Sequence, residues 1–118
     1  MTSAAAKTRL RSHADFAAVY TSKQAVRNRN LTACFLASEN EVTRLGLSVS
    51  RRIGNAVRRN RVKRVLRAAF RQEGHALDVP LDLILIPRSY ETAQDFNEMV
   101  SSLSHLIRKL NRRLSEDS

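Results

Sequence analysis

One short segment constrains the fold of this chain more than any other. Residues 81–86, Leu-Asp-Leu-Ile-Leu-Ile, are almost uniformly apolar and stand between Pro80 and Pro87. An apolar run this short, bounded by residues that interrupt regular structure, is typical of a strand that is covered on both faces. We therefore expect a sheet with this strand near its centre and helices packed against it.

Two more strands are predicted upstream of this segment. Residues 31–37 mix β-branched, aromatic and small side chains, and in residues 45–49 leucine and valine alternate with glycine and serine. The polar break at residues 38–41 is short, which favours an antiparallel hairpin of these two strands. A further short strand around Val26 is an open alternative.

Three helices are predicted from capping residues and apolar periodicity. Ser12 followed by Asp15 marks the start of a helix over about residues 13–20, and a second helix is expected over about 55–72, with Gly74 as its stop. A third helix opens near Thr92 and Asp95. Its apolar stripe comprises Phe96, Val100, Leu103, Ile107, Leu110 and Leu114.

These elements follow one another in the order αβ(β)βαβα. We predict an α+β fold, a two-layer sandwich in a single domain of residues 1–118, with residues 1–7 and 114–118 expected to be disordered tails. The single cysteine, Cys34, has no partner for an internal disulfide, which favours a reducing compartment. No apolar run approaches the length that spans a membrane. We expect a cytoplasmic protein with no membrane partner.

Positive charge is concentrated in one part of the chain. The 118 residues carry 21 Lys plus Arg and 11 Asp plus Glu, a formal net charge of +10. Between Arg51 and Arg71 stand nine basic residues and no acid, so the rest of the chain is nearly neutral. Such a segment favours a nucleic acid as the partner. Composition alone leaves an acidic protein, an anionic membrane or a solubilising surface open.

The second helix separates its apolar and basic residues onto opposite faces. At about 100° per residue, one arc is apolar and Asn60, Arg64, Arg67 and Arg71 form a column on the other side. The apolar arc consists of Val62, Val65, Leu66, Ala69 and Phe70. Like charges at this spacing repel one another, and a phosphate backbone would relieve that repulsion. Upstream, Gly54 and Asn55 fit either a simple turn with a helix cap or a phosphate-binding helix start.

A long stretch resembles a known family. Residues 44–71 read RLGLSVSRRIGNAVRRNRVKRVLRAAFR, which looks like the signature of the bacterial ribonuclease P protein subunit. A second match lies upstream, where Arg9-Leu10-Arg11, Asp15-Phe16 and Tyr20 resemble the N-terminal helix of that family. The resemblance covers about residues 7–113.

The resemblance implies a left-handed βαβ crossover and a ribonucleoprotein that removes the 5′ leader from precursor tRNA. In this family the catalytic centre is made by RNA and bound Mg²⁺, so the protein is an accessory subunit. The implied partners are the catalytic RNA and precursor tRNA, with no DNA expected. No catalytic or metal-binding residue is expected in this chain, and its histidines, His13, His75 and His105, are read as non-catalytic.

The resemblance also implies two sets of site residues. Residues expected to contact RNA are Arg51, Arg52, Asn55, Arg58, Arg59, Asn60, Arg61, Lys63, Arg64, Arg67 and Arg71. Residues expected to line a cleft between the N-terminal helix and the sheet, which holds the single-stranded leader, are Arg9, Arg11, Phe16, Tyr20, Phe35 and Ser50.

Other readings remain open at the level of sequence. Phe16 and Tyr20 are four residues apart on one helix, a spacing that also suits the core. A structural RNA-binding protein or RNA chaperone, similar to a ribosomal protein, accounts equally well for the charge. A helix-turn-helix DNA reader is disfavoured, because a strand stands where its first helix would be needed.

Overall fold

The computed structural model describes residues 9–116 and contains one four-stranded sheet. The strands are β1 (Ala25–Arg27), β2 (Leu31–Ala37), β3 (Arg44–Leu47) and β4 (Leu81–Pro87), arranged in the order β1-β2-β4-β3. The bounds of β2 and β4 agree with the predicted segments, and the alternative strand around Val26 is confirmed as β1.

The pairing of the strands differs from the sequence prediction in one respect. β2 pairs antiparallel with β4, and β3 pairs parallel with β4, so β2 and β3 are not neighbours and the predicted hairpin between them is wrong. The hairpin is formed by β1 and β2 instead. β4 is buried along almost its whole length, and the position between two other strands gives it cover on both edges.

Within residues 9–116, four α-helices accompany the sheet. They are α1 (His13–Thr21), α2 (Ala56–Glu73), the short α3 (Tyr90–Ala93) and α4 (Phe96–Glu116). The predicted cap at Ser12 is confirmed, since its Oγ accepts a hydrogen bond from the backbone N–H of Asp15. The predicted start of the last helix at Thr92 and Asp95 is wrong in part: Thr92 belongs to α3, and α4 begins after Asp95, whose Oδ1 accepts from the backbone N–H of Glu98. Helix α2 connects the parallel strands β3 and β4, as the predicted βαβ unit requires; its left-handed sense stays a prediction.

The two faces of the sheet carry different clusters of apolar side chains. On one face, Leu31, Phe35 and Leu83 pack with α2 and α4 in the main core. On the other face, α1 covers only part of the sheet, where Val19 packs on Ile84 and Leu10. The predicted α+β sandwich is confirmed, and α1 leaves the rest of this second face uncovered.

The last helix departs from the prediction at both ends. Phe96 is 40% exposed and lies outside the core, whereas Met99, which the predicted stripe does not include, is fully buried. The helix continues through Glu116, so residues 114–116 are helical instead of forming part of the predicted tail. The predicted tail at residues 1–7 lies outside the described part of the chain.

Candidate nucleic-acid interface

Helix α2 presents its polar residues to solvent and its apolar residues to the core. Val62, Leu66 and Phe70 are buried, whereas Asn60, Arg64 and Arg71 are exposed and Arg67 is half-buried. The predicted separation into two faces is confirmed. The eleven residues predicted to contact RNA are all at least partly open to solvent, with Arg59, Lys63 and Arg67 half-buried and the others exposed.

The start of α2 is held by a short turn of fixed geometry. Gly54 has a φ of +146°, a conformation that side-chain-bearing residues rarely adopt, and a Cβ there would lie 2.7 Å from Cδ of Arg58. Asn55 is the N-cap, and its Oδ1 accepts a hydrogen bond from the backbone N–H of Arg58 at 3.0 Å. Arg59 Nε donates to the carbonyl of Gly54 at 3.1 Å. This turn fixes the direction in which the basic helix leaves the sheet.

One arginine of α2 is positioned by an aromatic ring. The guanidinium carbon of Arg58 lies 4.5 Å from the ring centroid of Tyr90, the first residue of α3. A cation over an aromatic face at this distance is attracted by the ring quadrupole. The contact orients the Arg58 guanidinium while its surface stays exposed.

The N-terminal segment extends the positive surface of α2. Leu10 donates its backbone N–H to the carbonyl of Leu45, which places the preceding Arg9 beside β3. Partial burial lowers the pKa of Arg67, and the positive charge of Arg9 lowers it further. The two guanidinium groups therefore lie near each other, an arrangement that a bound phosphate would stabilise. Arg9 is one of the residues predicted to line the leader cleft. Its position beside β3 connects the α1 side of the molecule to the basic face of α2.

The two aromatic residues of α1 differ in their surroundings. Phe16 is half-buried, and its ring tip lies so close to β3 that a Cβ on Gly46 would be 2.7 Å from Cζ of Phe16. Tyr20 is 42% exposed, with its ring centroid 6.5 Å from that of Phe16 and the planes tilted by 51°. Phe16 thus packs on the sheet while keeping part of its surface open, and Tyr20 is mainly a surface residue.

An open groove runs along this side of α1. Its volume is about 530 Å³, and its described lining includes Phe16 and Tyr20 together with the exposed Arg11. Apolar ring surface beside a cation is a combination that suits stacked bases and their phosphates. Three of the predicted cleft residues, Arg11, Phe16 and Tyr20, line this groove, but its described lining belongs wholly to residues 11–21 and includes no residue of the sheet, unlike the predicted cleft between α1 and the sheet.

The prediction that Phe35 lines the cleft is wrong. Phe35 is fully buried in the main core, on the sheet face opposite to α1. Successive residues of a strand point to opposite faces, so a shift of one residue in the strand alignment reverses the assignment. The neighbouring residue Cys34 is half-buried on the α1 side of the sheet, where burial raises the pKa of its thiol.

The predicted cleft residue Ser50 lines a second, smaller depression of about 260 Å³ at the end of β4. Thr32 and Ile86 form its floor, and Arg52 and Arg88 stand at its margin. Thr32 and Ile86 share a sheet face with Cys34, because alternate residues of β2 and β4 pair across the ladder. Arg88 is not among the predicted site residues, although its position directly after the central strand could have indicated it.

A charged network that the sequence analysis did not identify fastens α1 to the sheet. Arg44 donates Nε and Nη2 to the two oxygens of Asp82 at 3.0 and 2.8 Å, and Nη1 to Asp15 at 3.3 Å. The hydrogen bond to Asp82 is the main cause that raises the pKa of Arg44. Asp82 is the one acidic residue in the otherwise apolar segment 81–86, and a charge in such a segment could have indicated a buried ion pair.

Two further features concern the chemistry open to the described part of the chain. Among residues 9–116, no three His, Cys, Asp or Glu side chains cluster in a way that would hold a metal ion. None of the helices described in this range is long and apolar enough to cross a membrane.

Comparison with known proteins places these features in a family context. The family model described as Ribonuclease P matches residues 5–111. The chain is 42% identical over 104 residues to the "Ribonuclease P protein component" of Bacillus pumilus, and the match covers 87% of each chain.

Solved structures show the same similarity. The RNase P protein of Staphylococcus aureus is 31% identical, with a TM-score of 0.75, and the match covers 86% of this chain and 94% of that one. The RNase P protein from Thermotoga maritima is 28% identical, also with a TM-score of 0.75, and the match covers 86% and 96% of the two chains.

Proposed function

Because this chain belongs to the ribonuclease P protein family, we propose that it binds the catalytic RNA and the 5′ leader of precursor tRNA. Membership implies participation in an endoribonuclease complex that processes tRNA. Within that complex, this chain assists removal of the leader as a cytoplasmic accessory subunit, and its own side chains do not perform the cleavage.

The observation that carries the proposal is the exposed basic face of α2. Nine basic residues stand between Arg51 and Arg71 without an acid, and within residues 9–116 Arg44 is the only arginine or lysine that forms an ion pair with a carboxylate. Unneutralised cations held on a rigid helix favour the binding of a polyanion, because counterions are released when phosphates replace them. This face is the proposed contact with the catalytic RNA.

The groove beside α1 is the proposed site for the leader. Phe16 and Tyr20 offer ring surface for stacking, and Arg11 offers a cation for the backbone. Stacking accepts every base, so leaders of unrelated sequence would be bound. Arg9 stands between this side of the molecule and the basic helix, which allows one RNA substrate to be held next to the catalytic RNA.

In this proposal the catalytic centre and its Mg²⁺ belong to the RNA subunit. Arg44 engages the carboxylates of both Asp15 and Asp82, so these two acids are not available as magnesium ligands. The protein contributes positive charge near the phosphates of both RNAs. Screening of phosphate repulsion by the protein would lower the concentration of Mg²⁺ that cleavage requires.

Reconstitution with ribonuclease P RNA tests the proposal. At low Mg²⁺, the protein should increase cleavage of precursor tRNA at the leader junction, whereas the protein alone should cleave nothing. The variant Arg64→Gln/Arg71→Gln removes two exposed cations whose side chains form no hydrogen bond or ion pair within the described residues. More of this variant should be needed to reach the same cleavage rate, and its binding to the ribonuclease P RNA should depend less on salt concentration.

The matched control is Asn40→Asp/Asn97→Asp, which lowers the net charge by the same amount at two exposed positions away from both proposed sites. It should behave like the unmodified protein. An unmodified protein that gave no gain in cleavage at low Mg²⁺ would contradict the proposal and favour a purely structural role in RNA binding.

A further inference from the structure

A second concentration of positive charge lies at the opposite edge of the sheet from Arg9 and β3. It is formed by the β1–β2 hairpin and the C-terminal half of α4, and we call it the edge patch. In the sequence these residues belong to the nearly neutral remainder of the chain, and the two groups are far apart. The edge patch comprises Arg29, Arg108, Lys109, Arg112 and Arg113.

Specific contacts bring the two parts of the edge patch together. Lys109 Nζ donates to the carbonyl of Arg27, although the two residues are 82 positions apart in the sequence. Asn28 Nδ2 donates to the carbonyl of Ser102 at 2.9 Å, and Asn30 Nδ2 donates to its Oγ at 2.7 Å. These hydrogen bonds hold the hairpin against α4, so the basic side chains share one rigid surface.

The charge of the edge patch is largely uncompensated. At about 100° per residue, residues 108, 109, 112 and 113 lie on one side of α4, and in the C-terminal half of the helix the described acid on that side is Glu116. None of the five basic residues forms an ion pair with a carboxylate in the described part of the chain. Five basic residues against one described acid therefore leave a strongly positive surface.

Structural roles account for only part of this charge. Lys109 and Arg113 donate to carbonyls of β1, the edge strand, and cations near the end of a helix are stabilised by its dipole. The side chains of Arg29 and Arg112 are exposed and form no hydrogen bond or ion pair within residues 9–116. Their like charges repel the rest of the patch, and nothing in the described fold offsets that cost.

We propose that the edge patch binds a second segment of RNA, separate from the segment held by α2. The inference rests on the proposed function, because that function supplies a large folded RNA as the partner. The protein measures 39 × 29 × 28 Å, and the two basic surfaces lie at opposite edges of its sheet. A protein with this distribution of charge bridges two RNA segments and fixes their relative position.

The test compares salt dependence of binding to ribonuclease P RNA. Arg29→Gln/Arg112→Gln removes two cations without breaking a contact of the described fold. Loss of two phosphate contacts should reduce the slope of log Kd against log salt by about 1.4 to 1.8. The control Asn40→Asp/Asn97→Asp carries the same change in net charge and should keep the original slope.

Backbone protection of the RNA from hydroxyl radicals gives the second readout. Arg29→Gln/Arg112→Gln should lose protection at nucleotides different from those that Arg64→Gln/Arg71→Gln loses. An unchanged slope, or loss at the same nucleotides, would overturn the second contact while leaving the proposed function intact. If Arg64→Gln/Arg71→Gln also bound like the unmodified protein, the proposed function itself would fail.

Discussion

Arg44 and Asp82 form a two-point ion pair between neighbouring strands, with Nε and Nη2 of the guanidinium 3.0 and 2.8 Å from the two carboxylate oxygens. Asp82 is 7% exposed and lies in the most apolar strand of the sheet. The same guanidinium reaches Asp15 on α1, so one side chain joins β3, β4 and the helix that carries the groove aromatics.

Removal of Arg44 should destabilise the fold. Arg44→Met leaves the buried carboxylate of Asp82 without its charged partner, which should cost about 2 to 3 kcal/mol in the free energy of unfolding. Denaturant unfolding measures this loss. The double variant Arg44→Met/Asp82→Leu should recover most of it, since no buried charge remains; a double variant as unstable as the single one would contradict this account.

The Asp15 contact should make stability depend on pH in the acidic range. Desolvation raises the pKa of Asp15, but hydrogen bonds from Ser12 and the charge of Arg44 outweigh it and lower the pKa below 3.8. The stabilisation is therefore fully present above the ordinary pKa and is lost as the pH falls through the lowered value. The difference in unfolding free energy between the unmodified protein and Asp15→Asn should shrink between pH 7 and pH 2. A difference in unfolding free energy that stayed constant with pH would show that folding does not lower the pKa of Asp15.

The two groove aromatics should respond differently to truncation. Tyr20→Ala removes an exposed ring and should reduce the preference for leader-bearing over mature tRNA by about tenfold, the value of one lost stacking contact, with little change in stability. Phe16→Ala should reduce the same preference and also the melting temperature, because the ring packs on Gly46. Binding of the two RNAs by the reconstituted complex measures the preference. Equal losses for both RNAs would assign Phe16 and Tyr20 a structural role.

Gly54 should be intolerant of substitution. Gly54→Ala forces a side chain into a backbone conformation with φ of +146° and against Cδ of Arg58, which should cost about 1 to 3 kcal/mol. Thermal unfolding measures the change. As a control, Ala56→Gly alters the same turn by removing a side chain at an exposed first helical position and should have a smaller effect.

Local patterns in the sequence determined much of this protein. Alternation and apolar runs located β2 and β4, and the three- and four-residue spacing of Val62, Leu66 and Phe70 separated the basic and apolar faces of α2. These features follow from the geometry of one element at a time, so neighbouring residues are sufficient to predict them. The long motif at residues 44–71 identified the family by the same local route.

Only the tertiary structure decided how the elements combine. The position of β4 between β2 and β3 depends on burying both of its faces, which competes with the short loop that favoured a β2–β3 hairpin. Phe35 faces the main core because a one-residue shift in a strand exchanges its faces. The Arg44 network and the edge patch join residues distant in sequence, and such proximity depends on packing that no local pattern specifies.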